Sequence, residues 1–548
     1  MNLKLLKFLA LMLFLHIFCS CNGQSLPSIS EDNIKSHIKT LASDEFLGRK
    51  PGTLGEQKTI QYLAEKLEAI GIEPANGDSY FQEFTISRLK YNKPSAMVIS
   101  KANGKTSRYE SSKDFYSKTS FKANDQISLN EAEIVFVGFG IIAPEYNWDD
   151  YKHVDVKDKV VLVLFSDPGF YTKDENMFNG MSVSQYGDYN LKKKLAMERG
   201  AKAVFMIHHE FINWDQIGQS SNSGYSSAYV KNQSETVSDG LLCSGIISIP
   251  VMKDLLSSSG FEDNYVEQAL GKDFKGLHIT SKMSLTNSST PEDVVRTKNV
   301  LGILKGSTRP DEHIIYTSHW DHVGTRPSTF GKDSIFNGAI DNASGTAMHL
   351  EVARTYKALR RKPERSIVFF FTSAEEMGLL GAEYYANNPI YPLKKAVCVI
   401  NADGHFATNK MKTATSVLKG YSEMDKYVDN AVAKMDRNAV EDTSPAYMKI
   451  FQRSDHYPFV KKGVPAVWAI GNQNPVEGGE AEAQKIANYM QHYHQVTDEY
   501  YEGFNAQNIA ADALMNFLIG LELANSSAWP NWNKTSKYKE IRDKSIQD

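Results

Sequence analysis

The stretch "RSIVFFFTSAEEMGLLGAEYY", residues 365–385, places two glutamates directly after a run of apolar residues. The apolar run predicts a buried strand, and "MGLLGAEYY" predicts the helix that follows it. Glu375 and Glu376 therefore follow the end of a buried strand, which is an unusual place for two adjacent negative charges. Successive residues leaving a strand point in different directions, so the two carboxylates can serve different purposes.

Apolar strands and helices alternate from Asn299 towards the end of the chain. The predicted strands are "EHIIYTS", "RSIVFFF", "KKAVCVIN" and "VPAVWAIG", and the predicted helices include "NASGTAMHLEVARTYKALR" and "NIAADALMNFLIGLELA". This alternation indicates a mainly parallel sheet that helices cover on both faces. We therefore predict an α/β fold, a three-layer αβα sandwich around a mainly parallel mixed sheet.

Two helices are predicted near the start of the chain. Ser30 is a suitable N-cap for the first, whose apolar residues recur at helical spacing. The second runs from Leu54 to Ile70, and Gly71 ends it.

Length and composition exclude several classes of protein. The chain has 548 residues, of which 41% are hydrophobic and 23% charged, with a net charge of -4. This is ordinary globular composition with enough length for two or more domains. The near-neutral balance does not support nucleic-acid binding. Outside the first 21 residues only Cys243 and Cys398 remain, which form neither a disulfide framework nor a zinc–thiolate cluster.

The first 21 residues resemble an export signal. Lys4 and Lys7 precede an apolar stretch, residues 8–18, that is too short for a comfortable membrane span. The sequence "FCSC" resembles a bacterial lipoprotein box in which Cys21 would be lipidated. We therefore predict an exported protein anchored by lipid at Cys21, on a bacterial membrane and facing the periplasm or the cell surface. Plain secretion is the alternative.

The composition of the sequence changes near Ala132. Strands such as "AEIVFVGFGI" are separated there by loops rich in Ser, Asn, Gly and Tyr. We predict that residues 132–287 form a smaller domain inserted into a larger one made of residues 25–131 and 288–527. The polar, turn-prone segment 287–291 is the predicted linker, and residues 528–548 are a predicted C-terminal tail.

Acidic and imidazole side chains recur where the predicted strands end, which is where open α/β sheets bind ligands. Each has an ordinary explanation alone; Asp341, for example, could be a helix N-cap. Together, two imidazoles and several carboxylates suit zinc, with manganese or cobalt as lesser options. So many carboxylates could not all stay ionised without cations. The residues concerned are His319, Asp321, Asp341, Glu375, Glu376, Asp403 and His494, with His322 and Asp498 beside them.

Six motifs, in their order along the chain, resemble those of the co-catalytic dizinc exopeptidases. That family includes secreted bacterial leucine aminopeptidases, yeast vacuolar aminopeptidase and the glutamate carboxypeptidases. Residues 132–287 also resemble a protease-associated domain. The resemblance implies a zinc exopeptidase fold and two Zn²⁺ per chain. The motifs are "SHWDH", "GAIDNASGTA", "SAEEMGLLGA", "NADG", "SDHYPFVKKGVPAV" and "YHQVTDE".

The resemblance also implies a role for each ligand. Asp341 matches the aspartate that bridges the two metals. His319 and Asp403 match the other ligands of one zinc, and Glu376 and His494 match those of the second.

Further residues have implied roles around these ligands. Glu375 matches the general base, and Asp321 matches the carboxylate that supports the site next to His319. Asp455 and His456 match residues of the substrate pocket. His494 is preferred to His456 as a ligand, because the family's ligand lies in the "YH…D" motif. A cis peptide bond after the bridging aspartate is also implied.

The implied reaction is hydrolysis of a terminal peptide bond by a metal-bridged hydroxide with Glu375 as base. The implied partner is a peptide substrate, and family frequency favours an aminopeptidase. A carboxypeptidase remains open and would need cations for the substrate carboxylate, with Arg453 as a candidate. A glutaminyl cyclase with one zinc is a further alternative, but the presence of both His319 and Asp403 favours two metals.

A receptor-like scaffold without activity ranks last, since no matched position departs from a ligating residue type. The sequence carries no indication of oligomeric state.

Overall fold

The computed structural model describes residues 28–119, 126–174, 176–178, 180, 184–210, 214, 226–230, 241–327, 333–441, 450–534 and 536–547. The predicted signal and Cys21 lie outside these residues. Within them, no helix is both long and apolar enough to cross a bilayer.

Thirteen α-helices lie within the described ranges. They are α1 (Glu31–Leu41), α2 (Leu54–Ile70), α3 (Pro168–Thr172), α4 (Tyr189–Glu198), α5 (Ile249–Ser258), α6 (Tyr265–Ala269), α7 (Gly345–Lys357), α8 (Leu380–Asn387), α9 (Met424–Ala433), α10 (His456–Lys461), α11 (Gly479–Tyr489), α12 (Gln507–Ala524) and α13 (Lys537–Gln547).

The strands of the first half of the chain, up to residue 304, are β1 (Glu73–Pro74), β2 (Phe81–Tyr91), β3 (Met97–Ser100), β4 (Thr106–Tyr109), β5 (Phe115–Thr119), β6 (Gln126–Phe136), β7 (Ile142–Ala143), β8 (Trp148–Asp149), β9 (Val160–Val163), β10 (Ala203–Ile207), β11 (Ser226–Val230), β12 (Cys243–Ile247) and β13 (Leu277–Leu304). The later strands are β14 (Arg309–His319), β15 (Gly324–Thr325), β16 (Ile335–Phe336), β17 (Arg365–Thr372), β18 (Ala396–Asn401), β19 (Met411–Ser416), β20 (Asn438–Val440) and β21 (Ala466–Pro475).

The main sheet is mixed, with a parallel centre. Its order is β11, β2, β13, β17, β14, β18 and β21, followed by β19 and β20. The four strands β17, β14, β18 and β21 run parallel. On one side of them, β13, β2 and β11 are added by antiparallel pairing. On the other side, β19 pairs antiparallel with β21. All eight residues of β17 are buried, as the apolar run predicted.

Helices cover both faces of this sheet. On one face, α1, α2, α7, α9 and α12 share a continuous apolar core with the sheet. On the other face, α8 and α10 contribute to a second core. The predicted αβα sandwich around a mainly parallel mixed sheet is confirmed. Its central parallel strands all carry their carboxyl ends to one edge.

A second sheet is built from strands earlier in the chain. Its order is β4, β3, β13, β6, β9, β10, β12 and β5. Strands β6, β9, β10 and β12 are parallel. Residues of β9 and β10 are buried throughout, which gives this sheet an apolar core of its own.

The two sheets are joined by β13, which differs from the predicted linker at 287–291. Residues 277–288 of this strand pair in the second sheet, and residues 289–304 pair in the main sheet, first with β2 and then with β17. Only a register shift between Pro291 and Asp293 marks the passage. The polar residues there are tolerated because they lie where the strand leaves one sheet for the other.

The second sheet also begins earlier than the predicted boundary at residue 132. Strands β3, β4 and β5, residues 97–119, already pair within it. Short polar strands such as β4, whose residues are exposed or half-buried, give no apolar signal from which sequence could place that boundary.

Residues 528–548, the predicted tail, include packed structure. Trp532 and Tyr538 are buried in the core of the second face. Arg542, on α13, is fully buried and donates to the carbonyl oxygen of Ala396 at 2.7 Å.

Candidate metal centre

The carboxyl-terminal edge of the main sheet collects the predicted ligands. His319 is the last residue of β14, Glu376 follows β17, and Asp403 follows β18. Asp341 lies in the turn that leads into α7, and His494 lies in the loop after α11. Segments that are distant in sequence therefore meet here because parallel strands end at the same edge.

Asp341 stands between two clusters of side chains. His319 Nε2 lies 3.2 Å from Asp341 Oδ1 and 3.3 Å from Asp403 Oδ1. His494 Nε2 lies 3.1 Å from Asp341 Oδ2 and 2.9 Å from Glu376 Oε2. One oxygen of Asp341 thus faces each cluster, as expected of a bridging ligand. The peptide bond from Asp341 to Asn342 is cis.

A further histidine, His322, joins the second cluster. Its Nδ1 lies 2.7 Å from Glu376 Oε1 and 3.9 Å from Asp341 Oδ2. The potential ligand atoms of His322, Asp341, Glu376 and His494 all lie within 4.8 Å of one another. The sequence places His322, the second histidine of "SHWDH", at the end of the same strand as His319, but the family resemblance assigns it no role.

The electrostatics of the ligands reflect their crowding. Burial would raise the pKa of Asp341, but the neighbouring His319 and His494 outweigh it and hold that pKa well below its ordinary value. Burial and Asp341 would raise the pKa of Glu376, but His494 and His322 lower it to about 2. Burial would lower the pKa of His494, but Glu376 and Asp341 raise it to about 10. In the absence of cations, the imidazoles act as the counter-charges.

Glu375 lies beside the first cluster and not within it. Its Oε2 is 4.0 Å from His319 Nε2, and its side chain is 13% exposed. Burial, with the negative charges of Asp403 and Glu376, raises the pKa of Glu375 well above its ordinary value against the opposing effect of His319. The two adjacent glutamates therefore have separate surroundings.

Asp321 links the loop of His319 to Glu375. Its Oδ1 accepts a hydrogen bond from the backbone N–H of Glu375 at 3.0 Å. Its carbonyl oxygen lies 3.1 Å from His319 Nδ1, and its carboxylate is 3.9 Å from the same nitrogen. Burial raises the pKa of Asp321 to about 8. The residue positions both the first ligand and the predicted base.

Asp455 and His456 are the residues that the resemblance matches to the substrate pocket. Both side chains are fully buried. Asp455 Oδ2 accepts from the Thr372 hydroxyl at 2.5 Å, and His456 Nε2 lies 2.8 Å from the carbonyl oxygen of Phe451. They lie at the start of α10, which packs against the sheet, and their contact with a substrate stays a prediction.

A buried arginine holds the loops beneath the ligands. Arg49 is 1% exposed and donates to the carbonyl oxygens of Trp320 at 2.9 Å and of Gly338 at 2.8 Å. It thereby ties together the loop after β14 and the turn that carries Asp341. Burial lowers the pKa of Arg49 to about 10, so it remains charged at neutral pH. On the other side of the turn, Asp498 accepts from the N–H of Asp341 at 3.1 Å.

A cavity of about 690 Å³ opens onto this edge of the sheet. Glu375, Glu376 and His494 line its floor, and residues from several loops form its walls. Two of the wall residues, Asn190 and Ala228, come from the region between residues 132 and 287. The cavity is large enough for a small peptide segment.

The donor atoms fit a pair of cations. His494 Nε2 is buried and approaches two carboxylates, yet makes a hydrogen bond to neither. Buried polar atoms are rarely left without a partner, and an ion between them would provide one. Imidazole nitrogens with carboxylate oxygens are the usual donors to catalytic zinc. The two clusters therefore match two co-catalytic zinc sites that share Asp341.

Residues 299–516 match the model of Peptidase family M28, and this segment contains every residue of both clusters. A rat protein (Rattus norvegicus), "Aminopeptidase NAALADL1", is 35% identical over 149 residues, which cover 26% of this chain and 17% of that protein. A Caenorhabditis elegans protein, "Glutamate carboxypeptidase 2 homolog", is 23% identical over 509 residues, which cover 81% of this chain and 60% of that protein.

The chain thus spans less than two thirds of the length of either relative. Among solved structures, the aminopeptidase from Aneurinibacillus sp. strain AM-1 aligns with a TM-score of 0.49 and 18% identity, over 90% of this chain and 93% of that chain.

Proposed function

Because residues 299–516 match the model of Peptidase family M28, we propose that this protein is a zinc-dependent exopeptidase and, among exopeptidases, an aminopeptidase. The observation that carries the proposal is the Asp341 carboxylate, which offers one oxygen to each of two ligand clusters at the floor of a cavity. The name of the rat relative supports the choice of an aminopeptidase.

Glu375 is the proposed general base. Two zinc ions, when bound, would polarise the scissile carbonyl and lower the pKa of a water molecule. Glu375 would take the proton from the attacking water and give it to the leaving amine as the C–N bond breaks. Asp321 fixes the base through the backbone N–H of Glu375, and His319, Asp341, Glu376, Asp403 and His494 are the proposed ligands.

The experiment is peptide profiling of the zinc-loaded full chain. We expect cleavage of peptides with a free amino terminus, no cleavage of N-acetylated versions, and loss of activity with a chelator. Cleavage that continues after a chelator has removed the zinc would refute the proposal. A single zinc per chain with cyclisation of N-terminal glutamine would favour the glutaminyl cyclase alternative.

A carboxypeptidase is the second candidate, because the cavity wall is rich in cations. Lys50, Arg326 and Arg453 line it and make no ion pair within the described part of the chain. By contrast, two other cations of the wall pair with carboxylates, Arg88 with Asp293 and Lys461 with Glu383. Unpaired cations suit a substrate carboxylate.

The same peptides separate the two candidates. A carboxypeptidase would cleave N-acetylated peptides and fail on C-terminal amides. In that case Arg453→Gln should raise KM for the free acid by about tenfold, the cost of one hydrogen bond to a charged group. An aminopeptidase would accept the amides, and Arg453→Gln would leave their KM unchanged.

We also propose that the protein is exported and lipid-anchored at Cys21. The support is the apolar stretch and the "FCSC" motif of the sequence. Cell fractionation with metabolic palmitate labelling tests this: the native chain should label and sediment with membranes, and Cys21→Ala should do neither. A labelled, membrane-bound Cys21→Ala variant would contradict lipidation at this residue.

We further propose that the region between residues 132 and 287 acts as a protease-associated domain that selects substrates. Asn190 supports this role, because it lies on α4 beside the second sheet and reaches the wall of the cavity.

A further inference from the structure

His322 is a buried imidazole for which the proposed reaction has no use. It follows β14 by three residues and is 1% exposed. A Cβ atom on Gly338 would lie 2.6 Å from His322 Cδ2, so the backbone of the neighbouring turn closes on the ring and fixes its position. The ring therefore presents its Nδ1 to Glu376 in a defined direction.

Two imidazoles divide the carboxylate of Glu376 between them. His494 Nε2 contacts Oε2, whereas His322 Nδ1 contacts Oε1. The two contacts differ in kind. The His322 contact, at 2.7 Å, has the geometry of a hydrogen bond, and its length is that of a charge-assisted one. His494 Nε2 makes no hydrogen bond, although it lies between two carboxylates.

The first cluster shows the same arrangement with another donor. Asp403 Oδ1 faces His319 Nε2 at 3.3 Å, while Asp403 Oδ2 accepts from the Ser454 hydroxyl at 2.7 Å. Asp403 and Glu376, the carboxylates that do not bridge the clusters, therefore each offer one oxygen to a cluster and have the other oxygen held by a buried donor. Ser454 holds Asp403, and His322 holds Glu376.

We propose that His322 is a positioning residue that holds Glu376 Oε1 through its Nδ1–H, so that Glu376 binds its metal through Oε2 alone. His322 is not itself a ligand. Asp341 Oδ2 lies 3.9 Å from His322 Nδ1 but 3.1 Å from His494 Nε2, so His494 is the imidazole nearer to the Asp341 oxygen that faces this cluster. The inference rests on the proposed pair of zinc sites. Hydrogen bonds that orient a ligating carboxylate commonly contribute 10- to 100-fold to metal affinity.

Three substitutions of His322 distinguish positioning from ligation. In His322→Asn the amide nitrogen takes the place of Nδ1 and can still donate to Glu376, but it is a poor zinc ligand. His322→Gln moves the amide towards the place of Nε2, and His322→Ala removes the donor. The measurement is zinc affinity at each of the two sites, by competition with a chromogenic chelator, together with zinc content after dialysis.

We expect His322→Ala and His322→Gln to weaken one of the two zinc sites about 10- to 100-fold and to leave the other unchanged. His322→Asn should restore the wild-type affinity. Ser454→Ala should weaken the opposite site, so that the double variant with His322→Ala loses affinity at both. His313→Asn, a buried histidine on β14 far from the clusters, controls for general destabilisation, and the melting temperature of each apo variant checks its folding.

Two results would overturn the inference. If His322→Asn loses as much zinc affinity as His322→Ala, then His322 is a direct ligand. If His322→Ala keeps wild-type affinity at both sites, then the hydrogen bond does not position Glu376. Both results require a wild-type chain that binds two zinc ions. A wild type that binds none would instead refute the proposed function.

Discussion

The two sheets of this molecule handle buried charge in different ways. At the carboxyl-terminal edge of the main sheet, imidazoles and carboxylates converge on Asp341, and His494 Nε2 is left without a hydrogen bond. On helix α4, beside the second sheet, Lys192 is fully buried and donates to the carbonyl oxygens of Leu164 and Ser166. No group of metal-ligating side chains forms there within the described residues between 97 and 288.

The difference shows which buried charges indicate a site. Lys192 has its hydrogen bonds provided by the fold, so its burial is explained by structure alone. The ligand clusters have donors whose partners the fold does not provide. Convergence on a shared centre with unsatisfied atoms, and not burial of charge, is therefore the feature that indicates function.

The largest effect is expected from removing Asp341, the residue on which the ligand clusters converge. Asp341→Ala should abolish binding of both zinc ions, because this residue contacts both clusters, and should lower kcat/KM by about 10⁴-fold or more. Zinc content and peptide hydrolysis measure the two effects. The control is Asp78→Ala, which changes an exposed aspartate in the loop between β1 and β2. It should change neither zinc content nor hydrolysis. Retention of both zinc ions by Asp341→Ala would break the assignment.

Removing the base should separate chemistry from metal binding. Glu375→Gln keeps the shape of the side chain but cannot accept the proton, so kcat should fall about 10²- to 10⁴-fold while both zinc ions remain. Glu383→Gln, another carboxylate that lines the cavity, should retain activity. Wild-type turnover in Glu375→Gln would rule out the general base.

The core of the second sheet should respond in stability and not in metal binding. Phe136 is fully buried against Tyr265 and Phe274. Phe136→Ala should cost about 3–5 kcal/mol of unfolding free energy, measured by urea titration, with zinc content unchanged below the transition. Simultaneous loss of zinc would show that the two sheets do not behave as separate regions.

The smallest effect is expected where the second region reaches the cavity. Asn190→Ala removes one polar group from the wall, so KM should rise about 2- to 10-fold with kcat unchanged, the worth of one neutral hydrogen bond. Steady-state kinetics on a series of peptides measure it. Lys194→Ala, an exposed position on the same helix, is the matched control. An unchanged KM across all peptides would argue against a role in substrate selection.

Local signals and motif order account for what sequence could predict. The N-cap at Ser30, which accepts from the N–H of Asn33, and the end of α2 at Gly71 follow from local rules and are confirmed. The convergence of the ligands follows from strand ends meeting at one edge. The role of His322 could not be predicted, because its hydrogen bond to Glu376 joins loops 54 residues apart. The continuity of β13 through residues 287–291 was not predicted. Its polar residues there, where the strand leaves one sheet for the other, have the composition that is typical of a turn.

The central claim is that two cations share Asp341. Anomalous diffraction at the zinc edge, from crystals of the zinc-loaded protein, tests it directly. We expect two peaks about 3.5–4 Å apart, one beside His319 and Asp403 and the other beside Glu376 and His494, with an oxygen of Asp341 facing each. A single peak, or peaks away from Asp341, would contradict the account.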